Sequence, residues 1–188
     1  GWSVAGAGDV NGDGYADLAA GAPGWEGRLG AAFVYHGSLS GPSLEADWSQ
    51  VGETTYTGYG EAVAGAGEVN GDAFDDLLVS ASRASNDQRE EGLVYVHHGG
   101  PLGLAEYPGW RAEGNKSYTG FGAWVAAAGD VNKDGFGDVV VGAPEFKDAA
   151  ENNRGGAFVY QGFLQEIVDG EIIPIIHYHN TFLPVMTS

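Results

Sequence analysis

The chain has 188 residues, with 26 acidic against 8 basic side chains, a formal charge of −18, 43% hydrophobic residues, 33 glycines and no cysteine. A surface this acidic repels nucleic acid and anionic headgroups, so neither nucleic-acid binding nor membrane insertion is expected, and no apolar run approaches the roughly twenty residues that cross a bilayer. Disulfide frameworks and thiol chemistry are excluded. The glycine content, far above ordinary usage, suits many tight turns between short strands.

In chain order, the first segment is a small-residue strand, Gly1 to Gly8, followed by a carboxylate loop, an apolar strand from Leu18 to Pro23, a third strand from Gly30 to Tyr35 and a segment around Trp48. A second unit repeats this, with a strand from Tyr59 to Gly67, a loop, an apolar run from Leu77 to Ala81, a strand from Gly92 to His97 and a segment around Trp110. The third unit supplies Phe121 to Gly129, a loop, Val139 to Pro144 and Gly156 to Tyr160. Loop position 1 recurs after 59 and then 62 residues. Four short strands at such a period predict an all-β chain of β-propeller blades, each of four antiparallel strands. The units are residues 1–57, 58–119 and 120–162, the last with strands one to three, followed by an atypical tail at 163–188.

The loops carry the chemistry. They read Asp9, Asn11, Asp13, Tyr15 and Asp17; Glu68, Asn70, Asp72, Phe74 and Asp76; and Asp130, Asn132, Asp134, Phe136 and Asp138, at positions 1, 3, 5, 7 and 9. Side-chain oxygens at 1, 3, 5 and 9, with the backbone carbonyl at 7, suit a hard cation such as Ca²⁺, and Gly14 and Gly135 at position 6 permit the turn. An EF-hand or dockerin loop would need a carboxylate at position 12, where this chain has Ala20, Val79 and Val141, and would continue into a helix. A metal-free acidic turn is the plain alternative. It weighs most in the second loop, where Glu68 is longer than Asp and Ala73 disfavours the left-handed backbone that glycine adopts freely. Two to three calcium ions are expected, the second loop binding most weakly. They would offset only a third of the net charge.

The aromatic-Gly opening, the Asp-x-Asn-x-Asp-Gly-x-x-Asp loop and the trailing Gly21-Ala22-Pro23 and Gly142-Ala143-Pro144 resemble FG-GAP repeats, the blades of integrin α-subunit propellers and of many bacterial surface proteins. The resemblance spans about residues 1–162. Ser80-Ala81-Ser82 departs from it in the second unit, and Gly1 lacks its preceding aromatic, which suggests that the sequence starts inside a repeat. The resemblance implies that calcium is structural, in loops joining the first two strands of each blade, on the face opposite the main ligand-binding surface.

Other groups favour packing roles. Phe33, Tyr35, Tyr95, Phe158 and Tyr160 recur at equivalent strand positions and read as contacts between blades, as do Trp48 and Trp110. Trp25, in the connection 24–28, has no counterpart in the other repeats and reads as a hydrophobic plug or a stacking surface for a sugar or partner side chain. His97 and His98 are sequence neighbours and face opposite ways. In the tail, His177 and His179 share one strand face, but a third metal ligand is lacking. Alignment on Gly37, Gly99 and Gly162 puts Ile173 where Trp48 and Trp110 stand. The Pro174-containing tail reads as an edge strand or cap. No nucleophile–base pair or Gly-x-Ser-x-Gly elbow is present.

The sequence therefore predicts a non-enzymatic, extracellular or cell-surface calcium-binding propeller module for protein recognition or adhesion, forming a partial ring or half of an assembled propeller. Its partners would be a protein or glycan ligand opposite the calcium loops and further blades from a second chain or the parent polypeptide. A lectin-like propeller and a non-catalytic domain of a secreted enzyme are the alternatives. The polar, length-variable connections 24–28, 83–91 and 145–154 follow the second strands and mark the expected ligand face.

Overall fold

The computed structural model describes residues 1–147 and 152–162, together with the backbone of the strands at 165–168, 171–174 and 181–183. The expected His177 and His179 pair lies outside the described residues. Among the described residues, three four-stranded antiparallel sheets and one two-stranded hairpin make up the fold. The first contains β1 (Ser3–Gly8), β2 (Asp17–Ala22), β3 (Ala31–Tyr35) and β4 (Trp48–Val51), in sequence order. The second repeats the order with β5 (Tyr59–Gly67), β6 (Asp76–Ala81), β7 (Leu93–His97) and β8 (Trp110–Glu113). A tight turn, Trp25–Arg28, with Glu26, Gly27 and Arg28 at positive φ, stands in the connection after β2.

The third sheet differs in its outer strand. β9 (Trp124–Gly129), β10 (Asp138–Ala143) and β11 (Gly156–Tyr160) follow the pattern, but the fourth strand is β14 (Thr181–Leu183). Thr181 pairs with Val159 at the register where Trp48 pairs with Val34 and Trp110 with Val96. Ile173 is therefore not the counterpart of the two tryptophans. It pairs with Glu166 in a separate hairpin of β12 (Gln165–Val168) and β13 (Glu171–Pro174). Alignment from Gly162 fails because that hairpin is inserted before the strand that completes the sheet.

Blades stack through alternate faces of their strands. In β6 every residue is buried, because Leu77 and Val79 pack toward the first blade with Val34 and Val63, while Leu78 packs toward the third with Val96, Val139 and Val141. A strand covered on both faces reads as a continuous apolar run. Blades approach closely at glycines. Gly30 and Gly92, equivalent and at φ +80° and +85°, lie so near the backbone of Tyr59 and Phe121 that an added Cβ would meet their carbonyl oxygens.

Tryptophans on the outer strands reach across each interface. Trp48 lies 4.9 Å from the His97 ring, and Trp110 lies 5.0 Å from Tyr160, both edge-on. Each such contact stabilises by about 0.5–1.5 kcal/mol beyond the area it buries. Of the strand-three rings expected between blades, Tyr160 makes such a contact, with His97 as an unexpected second, whereas Phe33, Tyr95 and Phe158 meet rings of their own blades.

Candidate metal centres

Each carboxylate loop joins the first and second strands of a blade. In the first, Asp9 accepts hydrogen bonds from Asp13 N at 3.0 Å and Gly14 N at 2.8 Å, Asn11 Oδ1 accepts from Asp13 N at 3.0 Å, and Asp13 accepts from Tyr15 N at 2.9 Å. The third loop repeats these contacts: Asp130 accepts from Asp134 N at 3.1 Å and Gly135 N at 3.0 Å, and Asp134 accepts from Phe136 N at 3.0 Å. Short polar side chains that capture backbone N–H groups two to five residues on wind the chain into a tight loop, bringing positions 1, 3 and 5 together.

The second loop closes differently. Glu68 uses one oxygen, Oε1, for Asn70 N at 3.0 Å, Asp72 N at 3.2 Å and Gly71 N. Ala73 sits at φ +73°, the left-handed region that Gly14 and Gly135 occupy in its sister loops. That conformation costs a residue with a Cβ roughly 1–2 kcal/mol.

The ninth-position carboxylates have a role that the spacing does not reveal. Asp17, Asp76 and Asp138 are buried, and each bridges two backbone donors. Asp17 accepts from Val10 N at 2.9 Å and Gly37 N at 2.7 Å; Asp76 from Val69 N and Gly99 N, both at 2.9 Å; Asp138 from Val131 N at 2.8 Å and Gly162 N at 2.9 Å. They tie the loop entrance to the exit of strand three. Burial pushes the Asp76 carboxyl up to about 7, against the pull of the Val69 and Gly99 N–H groups.

Among the described residues, no group of three or more His, Cys, Asp or Glu side chains is gathered tightly enough to hold a metal ion in this structure. The donor chemistry nevertheless fits a hard cation. All side chains at positions 1, 3, 5 and 9 offer oxygen, and an ionised carboxylate has about four acceptor directions, of which Asp9 and Asp17 each use two.

Loops of adjacent blades also dock on one another. Asp75 N donates to Asp9 O at 3.2 Å while Asp75 Oδ2 accepts from Asp9 N at 2.8 Å, and Gly137 N donates to Glu68 O at 2.7 Å. Position 8 of one loop thus meets position 1 of the loop before it. No signal within a single repeat points to this contact.

A family model for the FG-GAP repeat matches residues 1–35, 59–97 and 121–160. The chain belongs to the FG-GAP repeat family. It is 33% identical over 146 residues to integrin alpha-4 of Xenopus laevis and 35% identical over 155 residues to integrin alpha-V of Gallus gallus, covering 73% and 76% of this chain and 14% of each relative. It is also 33% identical over 157 residues to phosphatidylinositol-glycan-specific phospholipase D of Bos taurus, covering 77% of this chain and 18% of that protein. The chain thus spans less than a fifth of the length of these relatives.

On the opposite face of the FG-GAP blades, the connection after strand two of the second blade is held by a buried polar anchor. Glu91, fully buried, accepts from Asn86 N and Gln88 N at 3.0 Å and from Asn115 N at 3.2 Å, joining the 83–91 connection to the turn before the third blade. Arg28 lies over Tyr56 at 5.4 Å and Arg89 over Tyr118 at 5.7 Å. No helix among the described residues is long and apolar enough to cross a membrane.

Proposed function

We propose that these three FG-GAP blades are an extracellular or cell-surface recognition module, stabilised by calcium in the 9–17, 68–76 and 130–138 loops and binding a protein partner through the opposite face. One observation carries the reading: the loops on one face repeat a single oxygen-donor pattern, whereas the connections 24–28, 83–91 and 145–154 on the other share neither length nor composition. Repetition suits a structural ion, and variation on a rigid scaffold suits a specific partner. The integrin relatives support an adhesion setting. The match to a phospholipase D favours, as second reading, a non-catalytic domain within a secreted enzyme.

Attachment of cells to surfaces coated with the chain, in calcium, tests the first reading, alongside a glycan array under the same conditions. Attachment that is lost on Arg83→Glu with Arg89→Glu, with calcium-dependent melting unchanged, supports a protein partner on this face. Array binding with no attachment would instead make the module a lectin. Loss of attachment from substitutions in the calcium-loop face alone would move the partner to that side.

A further inference from the structure

Trp25, Ala84 and Phe146 occupy one position of the repeat. The backbone oxygen of each accepts a hydrogen bond from the residue just before or opening strand three: Gly30 N to Trp25 at 3.2 Å, Gly92 N to Ala84 at 3.1 Å and Gly155 N to Phe146 at 3.1 Å. Trp25 therefore has two counterparts, each eight residues past the ninth loop residue of its own blade, as Trp25 is past Asp17. In the flanking blades this position carries a ring packed edge-on against a strand-three aromatic, Trp25 on Phe33 at 5.1 Å and Phe146 on Phe158 at 5.3 Å. Phe33, Tyr95 and Phe158 share one register, opposite Ala20, Val79 and Val141.

In the middle blade the ring is missing. Phe158 meets two rings, Phe121 at 5.5 Å and Phe146, whereas among the described residues Tyr95 meets only one ring, that of the Phe121 counterpart Tyr59, at 5.7 Å. Beside Tyr95, between the first and second blades, opens a cleft of about 340 Å³ with Ala84 in its wall. Its rim carries Glu53, Glu106 and Arg111. Arg111 is paired with Glu113 at 3.5 Å, while neither Glu53 nor Glu106 makes an ion pair among the described residues. Residues 52–57 and 84–86, which follow strands four and two, place the Ala84 end of the cleft on the face away from the carboxylate loops, while Glu106, Tyr107 and Pro108, which follow strand three, line its other end.

We propose that this cleft accepts an aromatic side chain of a protein partner, flanked in that partner by a basic residue, so that the partner supplies the ring that Ala84 lacks. The sister blades show which group the position accommodates, and the unpaired rim carboxylates on a chain of charge −18 favour a cationic neighbour. The inference deepens the proposed protein-partner reading and rests on its choice of face.

The full chain in calcium can be titrated with tryptophanamide, which is cationic, with anionic N-acetyltryptophan and with methyl glycosides, followed by amide and methyl NMR shifts. Expected are saturable shifts centred on Ala84 and Tyr95 with a dissociation constant of about 1 mM for tryptophanamide, and weaker binding of N-acetyltryptophan by about threefold at low salt. Ala84→Trp should fill the cleft from within, reducing tryptophanamide binding by more than about tenfold and raising the melting temperature by about 2–5 °C. Ala84→Phe provides the same reading should the larger ring not be accommodated, and Trp25→Ala should leave probe binding unchanged. Absence of saturable shifts at Ala84 and Tyr95, undiminished binding to the filled variants, or glycosides binding there in place of the aromatic probes would each overturn the proposal. The small probes report on the cleft without any macromolecular partner. Their failure alongside intact, loop-dependent cell attachment would refute the cleft alone, and the converse would refute the partner reading alone.

Discussion

Trp48 of the first blade and His97 of the second converge on one acceptor, the Ala105 carbonyl, which lies 3.2 Å from both Trp48 Nε1 and His97 Nδ1. A carbonyl only accepts, so Nδ1 carries the proton and Nε2, 3.2 Å from the Tyr59 hydroxyl, accepts from it. Burial and the neighbouring Tyr95 push the Tyr59 hydroxyl above the ordinary phenol range, keeping it a donor. Both ring nitrogens of His97 are satisfied in the neutral state, and burial disfavours the charged one. The blade interface is therefore built around an uncharged imidazole.

A pH dependence follows. Burial lowers the His97 pKa to about 4 from 6.5, so the unfolded chain binds the proton more readily than the folded one between those values. Stability from this group is present above pH 6.5 and is lost as pH falls toward 4, by up to about 3 kcal/mol. His97→Gln should flatten this part of the melting temperature against pH, measured as the difference between wild type and variant from pH 7 to 4.5. Parallel curves for the two proteins would show that His97 does not titrate as the geometry requires.

Calcium should act as a structural ion of unequal affinity in the three loops. Asp13→Ala or Asp134→Ala removes a donor and a turn-closing acceptor together, and should lower the melting temperature in calcium toward its value in EDTA. Ala73→Gly should relieve about 1 kcal/mol of left-handed strain and strengthen the second, weakest loop about fivefold. Calorimetry on calcium-stripped protein reads both effects. No heat and no stabilisation on adding calcium would eliminate the metal reading altogether.

Asp75 is the clasp between the first two loops, and its loss should loosen the blades without removing any loop donor. Asp75→Ala leaves Asp9 N without its acceptor and should cost about 1–2 kcal/mol. Hydrogen exchange should accelerate most at Asp9 and Val10, since the first blade gains freedom to open. Unchanged exchange there would mean that apolar packing alone holds the interface.

The sequence made the blades and their loops legible because both depend on local chemistry. Short apolar runs bounded by glycine, proline or polar residues set the strands, and an Asp, Asn, Asp series winds its own turn. What it concealed depends on neighbours about sixty residues away. Asp75 looks like a spare acidic residue until Asp9 is placed beside it, and Ala84 looks unremarkable until Trp25 and Phe146 are seen in the same position. The fourth strand of the third blade was hidden because a hairpin intervenes, and Thr181 carries no tryptophan to mark the register. Repeat arithmetic recovers what is repeated, whereas interfaces are made by the differences.

The first blade leaves a face uncovered that its neighbours bury. Leu18, Leu77 and Val139 each follow the ninth loop residue; Leu18 is 48% exposed, against 0% for Leu77 and 4% for Val139, and Val4 is exposed where Val63 is buried. In the second and third blades these residues rest on the preceding blade, so the surface around Leu18 and Val4 has the shape and chemistry to receive another blade of the same kind. Propellers close with about four to eight blades, and closure protects such faces. Three blades with a receptive face are expected to pair with further blades, from a second copy in head-to-tail contact, from another chain or from the parent polypeptide. Leu18→Glu should then leave the melting temperature of the isolated monomer nearly unchanged while abolishing association, whereas Leu77→Glu should prevent folding by burying a charge. Light scattering decides the matter. A monodisperse particle of 19.5 kDa at micromolar concentration, with no dye-binding apolar surface, would show that this face needs no partner.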